Sequence, residues 1–189
     1  MTGGRRYGWF LALAALVLIA YVSLNTLRSD HVGSTGLKVG SKLPPFAAPL
    51  ALSDLEGDAN VSGKACSVRG AKILNVCELA ERGPVVLAFF AEPSERCDDE
   101  IDALDRLRPD FPRVQFAAVA IRGNRGNLQD RIRAHGWQLP VGWDRDGAVA
   151  NAYAVAVCPA ITLARESTVV RTLLGSQTEE QLRSAIGDL

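Results

Sequence analysis

VVLAFFAEPSERCDDEIDALDRL, residues 85–107, changes its period partway along. From Val85 to Phe90 every residue is apolar, and the run is rich in valine and phenylalanine, the composition of a strand buried on both faces. From about Ser94 to Arg108, Cys97, Ile101, Leu104 and Leu107 recur at spacings of four, three and three, which lays one apolar stripe along a helix. Pro109 and Pro112 end that helix. Ser94 is suited to the N-cap, which places Cys97 in the first turn, where unpaired backbone N–H groups and the helix dipole favour a thiolate. Arg96 is the single nearby cation against Glu95, Asp98, Asp99 and Glu100, and close carboxylates raise a thiol's pKa. The plainer role for Cys97 is a small apolar residue that opens the Ile101 and Leu104 stripe.

Outward from this stretch, strands and helices alternate in the manner of an α/β layer fold. Val114 to Ile121 is a second buried strand, Asn127 to His135 a helix ending near Gly136, and Leu139 to Trp143 a short strand. Asp144 to Gly147 forms a turn and Ala148 to Ala154 a helix. Strands Ala160 to Ala164 and Thr168 to Leu174, joined by Arg165-Glu166-Ser167, pair most simply as a hairpin. A helix from Thr178 to Ile186 closes the chain, with Thr178 and Gln181 at capping-box spacing. Gly123-Asn124-Arg125-Gly126 reads as a loop without the lysine or glycine frame of a phosphate cradle. Trp137 and Trp143 read as core or edge packing.

Four segments in this order resemble the thioredoxin-like redoxins, in particular the membrane-tethered TlpA/ResA-type proteins and the AhpC/TSA (peroxiredoxin) family. They are Lys42-Leu43-Pro44-Pro45-Phe46, Gly83 to Ala91 before the helix, Val141 to Gly147, and Val157-Cys158-Pro159 before the hairpin. The resemblance runs from about Val39 to the C-terminus. It implies a thioredoxin-like α/β/α sandwich with a central mixed sheet. In most such proteins the turn before the helix holds Cys-x-x-Cys, whose leading thiolate is the nucleophile; here Ser94 takes the leading position and Cys97 the second. A serine cannot form a disulfide, so exchange within this turn is excluded. In the peroxiredoxin pattern a Thr or Ser stands three residues before the peroxidatic cysteine, as Ser94 does before Cys97, but the proline expected seven residues before it is Phe90. The carboxylates around Cys97 predict a thiol less acidic than the leading cysteine of a typical thioredoxin-like site.

By the same resemblance Pro159 is a cis-proline facing the active-site turn, the one bond type at which a cis peptide is routinely kept. Cys158 then borders Cys97 within disulfide range, or packs there in place of a common Val or Thr. The expected site is therefore Cys97 as nucleophile or peroxidatic thiol, Cys158 as resolving thiol, Ser94 as a hydroxyl donor toward the sulfur and Pro159 shaping the substrate groove. The reaction expected is thiol-disulfide exchange or peroxide reduction, with protein thiols and disulfides or a peroxide as partner and no cofactor. The alternative is a non-catalytic binding or scaffold module with two structural disulfides. Cys66 and Cys77, in an apparent insertion before the Val85 strand, are expected to form a structural bridge worth roughly 2 to 3 kcal/mol.

The N-terminus sets the expected compartment. Gly8 to Leu24 is uncharged and almost wholly apolar, long enough for a bilayer span, with Arg5 and Arg6 before it and Tyr7, Trp9 and Tyr21 near its ends. No Ala-x-Ala site follows the run, which favours an uncleaved anchor over a signal peptide. The expected organisation is a cytoplasmic N-terminus at 1–7, a transmembrane anchor at 8–27, a flexible stalk at 28–41 rich in glycine and serine, and the redoxin domain at 42–189. The expectation is a single-pass cell-membrane protein with its domain outside the cytoplasm, where disulfides persist. The 21 basic and 21 acidic residues balance and give no electrostatic case for nucleic acid. His31 and His135 lack metal-ligand spacing with the cysteines, so no metal is expected.

Overall fold

The computed structural model describes residues 13–19, 36–91 and 94–189. Contacts divide the chain into two units, 1–33 and 34–189. In the first, residues 13–19 form a helix, α1, with Leu13, Leu16, Val17, Leu18 and Ile19 exposed. Among the described residues no helix is long and apolar enough to cross a membrane; the rest of the expected anchor, and residues 28–35 of the expected stalk, lie outside them.

The second unit is built on a five-stranded sheet. Its strands are β3 (Val85–Ala91), β4 (Gln115–Ile121), β5 (Val141–Asp144), β6 (Ala160–Arg165) and β7 (Thr168–Leu174), in the spatial order β5-β4-β3-β6-β7. β3, β4 and β5 run parallel, β6 runs antiparallel to β3 and β7 antiparallel to β6, so the sheet is mixed, as the thioredoxin-like pattern implies. β3 is central and apolar throughout because both its faces are covered. Val86, Ala88 and Phe90 join a core with Ile101, Leu104 and Leu107 of α3 (Glu95–Leu107), Leu128 and Ile132 of α4 (Arg125–His135), and Leu182 and Ile186 of α6 (Glu179–Gly187). Val85, Leu87 and Phe89 join the opposite core, with Leu79 of α2 (Val76–Arg82), Val149 of α5 (Ala148–Ala152), Phe46 and Tyr153. This is an α/β/α sandwich.

The hairpin expected between β6 and β7 forms, and Glu166 and Ser167 take the positive φ values of 51° and 59° that a tight hairpin turn needs. The capping box of α6 also forms, with reciprocal bonds between Thr178 and Gln181. Residues 36–41, assigned from sequence to the stalk, lie against β7. The Gly40 N–H donates to the Val169 carbonyl at 2.8 Å, the Val169 N–H to the Ser41 carbonyl at 2.8 Å, and the Thr172 hydroxyl to the Leu37 carbonyl at 2.8 Å. An otherwise open sheet edge is thereby covered. The stretch before β3 holds more than a loop: β1 (Ala47–Pro49) and β2 (Ile73–Asn75) pair antiparallel as a second sheet, and β2 runs straight into α2.

Gly123 to Gly126 also departs from its expected loop. Asn124 caps α4 by accepting the Asn127 N–H at 3.1 Å, so Arg125 and Gly126 are its first helical residues. Arg125 is an organising residue that the sequence did not single out. Its guanidinium donates to the carbonyls of Leu50 (2.8 Å), Ala51 (3.1 Å), Ser53 (2.7 Å) and Leu55 (2.6 Å), and lies 5.2 Å from the Trp143 ring centroid. A planar fork of five donors meets a curved row of acceptors, a match that a lysine cannot reproduce. Replacing it leaves several carbonyls unpaired at once. Arg125→Met is expected to cost on the order of 3 kcal/mol, and Arg125→Lys to recover little of it, in urea denaturation followed by tryptophan fluorescence.

Candidate active site

The pairing of β3 with β6 brings the two distant cysteines together. Phe89 stands opposite Ala160, so the residues just before β6 lie beside the C-terminal end of β3, where the chain turns into α3. Cys97 in the first turn of α3 and Cys158 are joined by a disulfide, with Cα atoms 6.0 Å apart and a sequence separation of 61. The Cys158-Pro159 peptide is cis and Pro159 is buried. Cys66 and Cys77 form the other bridge, so among the described residues no free cysteine is left.

The two linked sulfurs have different surroundings. Cys97 is fully buried in the core cluster that contains Phe90, Ile101 and Trp137, whereas Cys158 is partly exposed at its margin. The Ala91 N–H, at the last position of β3, donates to Cys158 Sγ at 3.4 Å. Ser94 occupies the N-cap position of α3, and its carbonyl accepts from the N–H groups of Cys97 (3.0 Å) and Asp98 (3.2 Å). Its hydroxyl makes no cap hydrogen bond, which departs from the side-chain capping that its residue type suggests.

The acidic residues that follow Cys97 are largely paired. Asp98 is buried, and its Oδ2 accepts from Arg131 Nε at 2.7 Å and Nη2 at 2.5 Å. Arg131 Nη2 also reaches the Ser94 carbonyl at 3.3 Å, so one guanidinium on α4 ties down both ends of the turn that carries Cys97. One helical turn on, Asp102 accepts from Trp137 Nε1 at 2.5 Å and lies 3.0 Å from His135 Nδ1. Asp105 then accepts the backbone N–H groups of Gln138 (3.0 Å) and Leu139 (2.8 Å). Of the carboxylates expected to crowd Cys97, Asp98 is the one that Arg131 answers. The sequence did hold a signal for it: Arg131 and His135 at i,i+4 on one helix match Asp98 and Asp102 at i,i+4 on another.

Glu100 is different. It is buried beside the segment leading into α6, where its Oε2 accepts the Gln177 N–H at 3.1 Å while Oε1 is buried without a hydrogen-bond partner among the described residues. Burial pushes its carboxyl above the ordinary glutamate range, and the Gln177 bond only partly opposes this. Asp144, fully buried at the end of β5, is pushed upward by the same cause despite accepting the N–H groups of Val149 and Ala150.

The Cys66–Cys77 bridge is organised by one buried side chain. Asn75 Nδ2 donates to the carbonyls of Ala65 (2.9 Å) and Val68 (2.8 Å), while its Oδ1 accepts from Cys77 N (2.9 Å) and Glu78 N (3.3 Å) and caps α2. The short 3-10 helix Ala65–Ser67 and the start of α2 are therefore clamped together where the bridge crosses. Among the described residues, no group of three or more His, Cys, Asp or Glu side chains is placed to hold a metal ion.

A model described as the AhpC/TSA family matches residues 39–173. The chain is 26% identical over 171 residues to the thiol-disulfide oxidoreductase ResA of Geobacillus thermodenitrificans, which covers 89% of this chain and 87% of that protein. Its fold matches that of a secreted disulfide oxidoreductase of Mycobacterium tuberculosis homologous to E. coli DsbE, with a TM-score of 0.57 and 21% identity across 62% of this chain and 89% of that one. It also matches peroxidoxin BcpB of M. tuberculosis, with a TM-score of 0.61 and 15% identity across 80% of this chain and 95% of that one. Both solved structures share a fold with this chain.

Glu100 gives the site region a pH signature. A carboxyl whose pKa is raised on folding binds its proton more tightly in the native than in the unfolded chain. Its contribution to stability is therefore greatest below the ordinary glutamate value of about 4.3 and is lost as pH rises through the folded value. Glu100→Gln keeps an acceptor for the Gln177 N–H and removes the titration. The loss of urea midpoint as pH rises above the ordinary glutamate value of about 4.3 is expected to shrink in this variant, with Asp144 still contributing to the slope that remains. An unchanged slope would sink the assignment.

Proposed function

The chain belongs to the AhpC/TSA family of thioredoxin-like redoxins, and we propose that it is a thiol-disulfide oxidoreductase whose working couple is Cys97 with Cys158. The observation that carries this reading is the bridge between the first turn of α3 and the cis-proline joint, which supplies a second sulfur where Ser94 cannot. Forming the bridge from two thiols releases two electrons and two protons, and opening it consumes them, so the pair is complete without a cofactor. The likeness to the ResA protein, itself named for this activity, supports the choice of reaction. Full burial of Cys97 favours exchange with protein thiols and disulfides over peroxide reduction at that residue. Pro159 borders the bridge and helps shape the surface a substrate meets, and Ser94 holds the turn through its carbonyl. Cys66–Cys77, clamped by Asn75, has a structural role.

We place the domain outside the cytoplasm on an uncleaved membrane anchor at 8–27. The uncharged run after Arg5 and Arg6 supports this, as does the helical conformation of residues 13–19 with their apolar side chains exposed. The expected test is extraction of cell membranes at alkaline pH. The full-length chain should stay with the pellet, and a chain lacking residues 1–33 should not; release of both would remove the anchor.

A redox titration tests the couple. The full-length chain is equilibrated against a dithiothreitol or glutathione series, and alkylated peptides are then quantified by mass spectrometry, so that both bridges are followed in one sample. The Cys97–Cys158 bridge is expected to have a midpoint above about −300 mV and Cys66–Cys77 one below it. A Cys97–Cys158 midpoint below that value would make the bridge structural and leave the chain a scaffold rather than an oxidoreductase.

A further inference from the structure

The two sulfurs of the working pair are not equivalent, and their difference runs opposite to the roles suggested by the order of the chain. We infer that Cys158, at the cis-proline joint, is the sulfur that meets the substrate, and that Cys97 is the buried resolving thiol. This rests on the redox reading of the pair given above.

Access is the first ground. Thiol-disulfide exchange needs the attacking sulfur, the central sulfur and the leaving sulfur in line, so a sulfur with no open side cannot take part in the intermolecular step. Cys97 is fully buried among Phe90, Ile101 and Trp137, and Cys158 is partly exposed. Hydrogen bonding is the second ground. The Ala91 N–H points at Cys158 Sγ from 3.4 Å, and the Phe89 carbonyl lies 3.9 Å from the same sulfur. The C-terminal end of β3 thus offers the Cys158 thiol an acceptor for its proton and the thiolate a donor. Hydrogen bonding to the charged form is one of the ways in which a thiolate is favoured. The third ground is the departure of Cys97. It lies in the first turn of a thirteen-residue helix, where the helix dipole favours the charge of a leaving thiolate when the bridge opens.

The steps balance as follows. In the reduced protein the Cys158 thiolate attacks one sulfur of a protein disulfide. The substrate S–S bond breaks, the other substrate sulfur leaves as a thiolate and takes a proton, and a Cys158–substrate mixed disulfide forms. Cys97 then gives up its proton and attacks Cys158 Sγ. This closes the Cys97–Cys158 bridge and expels the second substrate thiolate, so the substrate gains two electrons and two protons and the pair loses them. An external dithiol resets the pair by the reverse path, attacking the accessible Cys158 sulfur while Cys97 leaves into the helix N-terminus. A substrate is therefore a polypeptide whose disulfide can reach a shallow margin between the end of β3 and the start of β6.

Labelling the reduced full-length chain tests the assignment without mutation. After dithiothreitol is removed, a substoichiometric pulse of iodoacetamide is followed by mass spectrometry of the peptides. Cys158 is expected to be modified at least about tenfold faster than Cys97, as an exposed activated thiol is over a buried one. Cys97→Ser should likewise form a mixed disulfide with oxidised glutathione at Cys158, and Cys158→Ser should do so at Cys97 only slowly. Equal or faster reaction at Cys97 overturns the inference, and if the bridge still titrates above about −300 mV the redox function survives that failure. A bridge that dithiothreitol leaves closed in the folded protein overturns both. If Cys97→Ser fails to fold, the labelling of the unmutated chain decides.

Discussion

Antiparallel pairing of β6 against β3 is the constraint on which the site depends. Its register sets Phe89 opposite Ala160, which leaves Cys158 and the cis peptide just past the paired region, beside the point where β3 gives way to α3. A strand shifted by one residue would turn its side chains to the opposite face and carry Cys158 away from Cys97. The apolar side chains at Ile161 and Leu163, on the same face as Phe90 and Cys97, fix the register through burial rather than through the bridge itself. The bridge between residues 61 positions apart is therefore a by-product of sheet packing.

A second layer of order holds the helix that carries Cys97. Asp98, Asp102 and Asp105 follow one face of α3, and each is answered from α4 or from the loop behind it: by Arg131, by His135 with Trp137, and by two backbone N–H groups. Because Asp98 is buried and paired, it cannot be exchanged for an apolar residue without leaving the Arg131 guanidinium short of a partner. Carboxylates that looked adverse to a thiolate therefore serve to dock the helix. Asp98 keeps its Oδ1 and Glu100 its Oε1 without a hydrogen-bond partner among the described residues; Glu100, whose Oε2 accepts a backbone N–H rather than a guanidinium, is the one whose proton burial makes harder to remove.

The readable parts of the fold were those with strong periodicity. β3, α3, β4 and the β6–β7 hairpin announce themselves because long apolar runs and a three-four spacing follow directly from burial on two faces or on one. β1 and β2 were missed because three-residue strands carry no period, and their pairing is fixed by distant contacts such as the Leu50 N–H with the Lys72 carbonyl at 2.9 Å. Arg125 was hidden for a related reason: its value lies in four carbonyls some seventy residues upstream, and carbonyls leave no trace in a sequence. The positions of Cys97, Cys158 and Pro159 were legible as motif placements. The contrast in burial between the two sulfurs was not, because it depends on the packing of the core cluster that encloses Cys97 and leaves Cys158 at its margin.

Serine at position 94, with the bridge running instead from Cys97 to Cys158, also sets how closing that bridge couples to stability. A bridge within a four-residue turn constrains the unfolded chain little, by roughly 2 kcal/mol in the loop-entropy model, whereas one that closes a loop of 61 residues constrains it by roughly 4 kcal/mol. For equal native-state potentials, opening the wide bridge therefore sacrifices more stability than opening a turn-local one. The reduced form must hold the first turn of α3 by other means. Arg131, bonded at once to Asp98 and to the Ser94 carbonyl, is placed to do so whether or not the sulfurs are joined. Ser94 thus contributes, through its carbonyl, to keeping the turn in position beside Cys158.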